Sequence, residues 1–349
     1  MQTIILSRFS LLLLLFLLIF HFSCRKANIL NEPPDCKANS FVLKESASTV
    51  SVNRLVGDQL EQINEFEINE NSFYAYDGCH YFILLDNEKQ TMKVYQRSGR
   101  FYYEESFPAE IQLKSVYTDG KNVYIGGYDG DAKFLQYNLF HREWHIPYVP
   151  EFLNVPGKSI DDFVIHENQL IAIDNIYIPQ YYLYYNLSDD NMVEYTHKML
   201  HRVFYPNTIK KAEISQEYLV VKALKASGWV GYYDLIVLYS LDDMEGDYMI
   251  LPSRRIQDYD NDRFVDFLLN ENEIILAHKG YGIGRIEIDE MFFAESPDIF
   301  EMDYEFYEPF IDYRELEDLH ALTHVPNGHY FIATTIGMDG NFEHHVFEY

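Results

Sequence analysis

Six short stretches of the chain share one pattern, and no other feature limits the available folds as much. AYDGCHYFILLD begins at Ala75, YTDGKNVYIGGY at Tyr117, VIHENQLIAIDN at Val164, EISQEYLVVKAL at Glu213, LLNENEIILAHK at Leu268 and HVPNGHYFIATT at His324. Each joins a strand end, a polar turn rich in Asp, Asn or Gly, and a run of apolar or β-branched residues. That is the signature of a β-hairpin. The first apolar residues after the turns are Tyr81, Val123, Leu170, Leu219, Ile274 and Tyr330, spaced by 42, 47, 49, 55 and 56 residues.

A second echo follows each copy: MKVYQRSG, KFLQYNL, YLYYNL, IVLYSL, GRIEID and HVFEY. It reads as a third strand, and variable stretches such as FYYEESF supply a fourth. Four strands over roughly 40 to 50 residues make a propeller blade. The expectation is an all-β, six-bladed β-propeller over residues 48–349. The last copy ends on its third strand at Tyr349, so STVSVNRLV, Ser48 to Val56, is expected to supply the missing strand and close the ring.

Other repeat families fit less well. Gly-His and Trp-Asp pairs of the WD40 type are missing, the chain has 2 tryptophans, and the double glycine Gly126-Gly127 occurs in one copy only. In its architecture the chain resembles the bacterial TolB-like six-bladed propellers, many of them lipoproteins of unknown role. The resemblance brings no catalytic motif.

The N-terminus reads as a targeting segment. Arg8 precedes an unbroken apolar run from Leu11 to Phe20, short for a membrane span and suited to a signal-peptide core. Ser23 stands before Cys24, and this stretch resembles a bacterial lipoprotein signal. The resemblance implies cleavage after residue 23 and lipidation of Cys24; ordinary secretion is the alternative. The organisation is then a signal peptide over 1–23, a tether over 24–47 and the propeller. The expected place is the cell envelope, as an outer-membrane lipoprotein facing the periplasm or the cell surface. Cys36 and Cys79 form a disulfide in such a compartment, or stay as two thiols.

Alignment of the six first strands on their turns separates two parities. One is apolar and expected to pack between blades. The other is more polar and holds Asp162, Lys211, Glu213, Asp266 and His324. These are expected to line the central channel, either as a ligand site or as a mutually paired lining. The loops between second and third strands carry Tyr128, Trp229, Tyr232 and Tyr281, rings suited to a protein or glycan partner.

The formal net charge of −28 excludes nucleic acid as a partner. DYDNDRFVDFLL, from Asp258, mimics the start of a calcium loop but has Arg263 and Leu269 where that loop needs Gly and Glu. KGYGIG lacks dinucleotide-binding spacing, and no nucleophile elbow is present. No metal and no cofactor is expected. The reading is a monomeric, non-enzymatic binding or scaffolding propeller, whose partner is an envelope protein or glycan. The alternative is a calcium-dependent lactonase or esterase of the propeller type, which such proteins resemble in architecture. A lysine among its carboxylates weighs against that alternative.

Overall fold

The structure is a computed structural model. It describes residues 41–46, 48–56, 59–149, 159–166, 169–174, 181–187, 193–199, 208–215, 218–227, 231–240, 248–252, 264–270, 273–278, 282–288, 308–311, 316, 318–325, 330–337 and 342–349.

Among the described residues the regular structure is all β, in seven antiparallel sheets. The first has three strands, β1 (Phe41–Glu45), β2 (Thr49–Val56) and β3 (Gln59–Glu67). The second holds β4 (Ser72–Tyr76), β5 (Tyr81–Asp86), β6 (Thr91–Gln96) and β7 (Phe101–Ser106). The third holds β8 (Gln112–Thr118), β9 (Asn122–Asp129), β10 (Asp131–Asn138) and β11 (Glu143–His145). The fourth holds β12 (Ile160–His166), β13 (Gln169–Asp174), β14 (Tyr181–Leu187) and β15 (Val193–Met199). The fifth holds β16 (Thr208–Ile214), β17 (Tyr218–Ser227), β18 (Gly231–Ser240) and β19 (Tyr248–Pro252). The sixth holds β20 (Phe264–Asn270), β21 (Glu273–His278), β22 (Gly282–Glu287) and β23 (Glu308–Ile311). The seventh has three strands, β24 (Leu319–His324), β25 (Tyr330–Ile336) and β26 (Phe342–Glu348). In every sheet the spatial order is the chain order.

The turn residues explain the repeat. Asp77 Oδ1 accepts the amides of Cys79, His80 and Tyr81 at 2.8, 2.7 and 3.1 Å. Asp119 Oδ1 does the same for Lys121 and Asn122 at 2.8 and 2.5 Å. Gly78 and Gly120 take the left-handed φ values of 75° and 81° that these turns require. The apolar run after each turn is the second strand, buried on both faces. Phe82, Ile83, Val123, Ile125, Leu219, Val220, Ile274 and Ile275 are all fully buried.

Neighbouring sheets share apolar clusters. Ile83, Val94, Leu113 and Ile125 join the second to the third sheet, and Tyr124, Phe134 and Phe163 join the third to the fourth. Val220 with Phe267, and Leu268 with Phe331, continue the series through the fifth, sixth and seventh sheets. Val42, Val325, Ile332 and Val346 join the seventh sheet to the first, while Val50, Phe66 and Phe82 join the first to the second.

Three expectations are corrected here. Residues 48–56 do not complete the last sheet: β2 is the central strand of a separate sheet, paired on both sides with β1 and β3. That sheet makes the count seven where six was expected. It also begins inside the expected tether, because Phe41 and Val42 are buried. The physical reason is that its β1–β2 turn uses Ser46, whose Oγ accepts the Thr49 amide at 3.2 Å, instead of an Asp-Gly pair. Its third strand is largely polar because it is exposed.

Candidate functional site

The first strands of the second to seventh sheets lie side by side in chain order. Five of them carry a register shift near their start, at Leu113/Ser115, Ile160/Asp162, Ile209/Lys211, Phe264/Asp266 and Leu319/Ala321. Such bulges re-aim side chains and leave backbone groups outside the ladder. They lie at the end of the strand that faces the hairpin between second and third strands, as the pairing of Gln112 with Tyr128 shows. Asp162, Lys211 and Asp266, which follow the bulges, therefore lie toward the same strand ends as Tyr128, while Glu213 and His324 lie nearer the turns between first and second strands.

The structure brings Lys211, Glu213, Asp266 and His324 into one connected network. Lys211 Nζ lies 2.9 Å from Glu213 Oε1 and 3.0 Å from Asp266 Oδ1, and donates to the Phe267 carbonyl at 2.6 Å. An ammonium has three protons, so this set uses all of them. The Phe267 ring lies 5.2 Å from the same nitrogen. Glu213 Oε2 accepts the Leu269 amide at 2.6 Å and lies 3.3 Å from His324 Nε2. A carboxylate only accepts, so Nε2 carries a proton, which leaves Nδ1 of a neutral ring to accept the Tyr349 hydroxyl.

The remaining acceptors are also taken. Asp266 Oδ1 accepts the Phe267 amide at 2.8 Å, and Oδ2 accepts the Leu322 amide at 2.8 Å. Asp162 repeats this two sheets earlier, with the Phe163 amide at 2.8 Å and the Ala212 amide at 3.0 Å. Ser115 Oγ donates to the Ile160 carbonyl at 3.1 Å. Each of these side chains bonds the first strand of the next sheet.

The electrostatics follow. Burial pushes the Asp162 carboxyl up to about 6; the Phe163 and Ala212 amides and Lys211 pull against it, and Glu213 adds to it. Burial alone would lower Lys211, but Glu213 and Asp266 more than offset it, so its pKa rises above the ordinary value. Burial would raise Glu213, and Lys211 with His324 overcomes that and lowers it. Burial, then Glu213, raises the Tyr349 hydroxyl. The Lys211, Glu213 and Asp266 side chains nevertheless keep 26, 16 and 13% of their surface accessible. They are not sealed from solvent.

A divalent cation at this place would need the oxygens of Glu213 and Asp266, and the Lys211 ammonium already holds both. Among the described residues no three or more His, Cys, Asp or Glu side chains gather as a metal site.

Of the loop-borne rings, Tyr128 is half-buried, with the Lys114 ammonium 5.6 Å from its ring centre. Tyr232 is placed as a residue of β18 opposite Ala226. Trp229 and Tyr281 lie outside the described residues, as do Cys24 and Cys36. Cys79 is disulfide-bonded, and its partner cysteine also lies outside them. Sequence reasoning did not find Tyr349, whose partner His324 is 25 residues away. Nor did it find the bulges, whose extra residues Lys114, Asp161, Lys210, Val265 and His320 have no one residue type in common to all.

The double glycine of the third sheet has its reason here. A Cβ on Gly126 would meet the Ser115 hydroxyl and stand 2.6 Å from the Ile160 carbonyl oxygen, and one on Gly127 would meet the Gln112 carbonyl.

No protein-family model and no curated protein sequence matches the chain. Solved structures do. The chain is similar to the β-propeller domain of Cps50 (Swd1) from Myceliophteria thermophila, with a TM-score of 0.53 at 10% identity, over 89% of this chain and 94% of that one. It is similar to the Dos1 propeller, with a TM-score of 0.54 at 9% identity, over 87% of this chain and 75% of that one. A protein of unknown function from Bacteroides caccae gives 0.46 at 11% identity, over 72% and 90%. At these identities the first two likenesses show the fold, a β-propeller.

Proposed function

We propose that the chain is a non-enzymatic binding or scaffolding propeller that engages a protein or glycan through the hairpins joining second and third strands. One observation carries this reading: every polar side chain of the inner network is spent on intramolecular bonds. Among the described residues Lys211, Glu213, Asp266 and His324 are all bonded within the chain, so the hairpins joining second and third strands are the surface taken for a partner. The propeller fold supports binding in general. The lactonase or esterase alternative needs carboxylates that Lys211 holds.

We further propose that the seven sheets are the blades of a closed ring, and that a lipid on Cys24 holds this ring at the cell envelope. The apolar clusters shared by neighbouring sheets, with the Asp162–Ala212 bond between the fourth and fifth, support the ring. The N-terminal sequence supports the anchor.

The binding reading is tested by glycan-array and membrane pull-down experiments on the full chain and on a Tyr128→Ala, Trp229→Ala, Tyr281→Ala variant. A partner captured equally by both would remove the hairpin face from this account. Turnover of lactone or ester substrates with stoichiometric calcium would replace it with the alternative. Palmitate labelling that is unchanged by Cys24→Ala would remove the anchor.

A further inference from the structure

Among the described residues the five four-stranded sheets cover their third strand with a fourth, while the seventh sheet presents β26, paired with β25, at its outer edge. The side that points outward follows from the ladder. The Val325 amide donates to the Tyr330 carbonyl at 3.1 Å, and the Ile336 amide to the Asp318 carbonyl at 3.0 Å. Even-numbered residues of β25 therefore face β24, and odd-numbered ones face β26. Their partners Phe347, His345 and Glu343 point back at β25. The amides and carbonyls of Phe342, His344, Val346 and Glu348 are left on the outer side.

The first sheet also has a free edge, β3, but that edge is guarded. A register shift at Val52/Asn53 bends it. β26 is different. Val346 packs toward the first sheet with Val42 and Ile332, and Phe347 toward the sixth with Leu268 and Phe331. It has no proline, and its exposed carboxylates, Glu343 and Glu348, stand near its two ends.

We infer that β26 is a strand-addition site for an extended, basic segment of another protein. Main-chain bonds to the four outward residues give the affinity, and Lys or Arg opposite Glu343 and Glu348 gives the selectivity. A second copy of the chain carries the same strong negative charge, which opposes self-pairing of this edge. The net charge of −28 adds to this preference for a cationic partner. This surface is separate from the hairpin face, so either proposal stands if the other fails.

The probe is a labelled peptide, Lys-Thr-Val-Thr-Val-Lys-Thr, which laid antiparallel sets its two lysines opposite Glu348 and Glu343; it is titrated into the full chain and followed by anisotropy, with amide hydrogen exchange on the same samples. The expected result is saturable binding with protection of Phe342, His344, Val346 and Glu348. Replacing both peptide lysines by glutamate should weaken it about tenfold or more. N-methylation of all its amides, which keeps every side chain, should abolish it. Glu343→Lys with Glu348→Lys should reverse the charge preference. Three results overturn the inference: binding that survives N-methylation, protection of the four amides in the peptide-free monomer (its own chain covers the edge), or their protection on dimerisation.

Discussion

Removing Asp266 tests whether the inner polar residues hold the sheets together. Asp266→Ala deletes the acceptor for the Leu322 amide at 2.8 Å, the Phe267 amide at 2.8 Å and the Lys211 ammonium at 3.0 Å. Leu322 is buried, so its amide has no ready substitute in water. A hydrogen bond to a charged group contributes about 1.5 to 3 kcal/mol, and breaking an interior ion pair costs about 3 to 5 kcal/mol. Water that reaches Lys211 argues for the lower end, about 3 kcal/mol for the site. For a chain of this size that corresponds to a fall in Tm of about 4 °C. The control is Glu61→Ala, which removes a carboxylate paired with Arg54 where both side chains are about half exposed, 56 and 49%. It should change stability by less than about 0.5 kcal/mol. Calorimetry on the two variants decides: if Asp266→Ala melts within about 1 °C of Glu61→Ala, the carboxylate does not join the sixth and seventh sheets and the argument fails.

Three further outcomes are expected. The folded pKa of Asp162, about 6, lies above the unfolded value. Its stabilising contribution is therefore present below about pH 4 and is lost as pH rises through 6, by about 3 kcal/mol in all; urea titrations between pH 4 and 7 should show this slope, and Asp162→Ala should flatten it. Gly126→Ala should cost about 2 kcal/mol by forcing the third and fourth sheets apart, while Gly130→Ala, with open space around its Cβ but φ at 76°, should cost about 1 kcal/mol from backbone strain alone. Reduction of the Cys79 disulfide should lower stability by about 2 to 4 kcal/mol, and Cys79→Ala should show the same loss and no response to reductant; a peptide map without reduction names the partner cysteine.

The parts of the fold that could be read from the sequence are those made locally. Asp77 and Asp119 cap turns within four residues of themselves, so the hairpins announce their own positions. The third strands could be read because their apolar alternation is set by burial on either side. The first sheet could not, because its turn rests on Ser46 and Thr49 and its outer strand is exposed, so neither signal forms. The convergence of Lys211, Glu213, Asp266 and His324 was visible from period-two alignment of the first strands. Their partners were not, because bulges shift the register by one residue and Tyr349 reaches His324 across the sheet.

The residue types at the inner positions follow from the backbone group each neighbour leaves unpaired. Where the next strand presents an amide, at Ala212 and Leu322, the side chain is an aspartate, whose second oxygen caps the amide of the following residue, Phe163 or Phe267. Where the next strand presents a carbonyl, at Ile160 and Phe267, the side chain is a donor, Ser115 or Lys211. A buried amide or carbonyl must find a partner, and the first strand of each of these sheets has a ladder neighbour on one side only. A mixture of Ser, Asp, Lys and Asp that resembles a catalytic or metal-binding constellation in the sequence is thus what a series of neighbouring edge strands requires. The charges then settle among themselves, since the lysine that serves the Phe267 carbonyl also neutralises Glu213 and Asp266. Asp162, with no such partner at ion-pair distance among the described residues, is the carboxyl whose pKa burial raises.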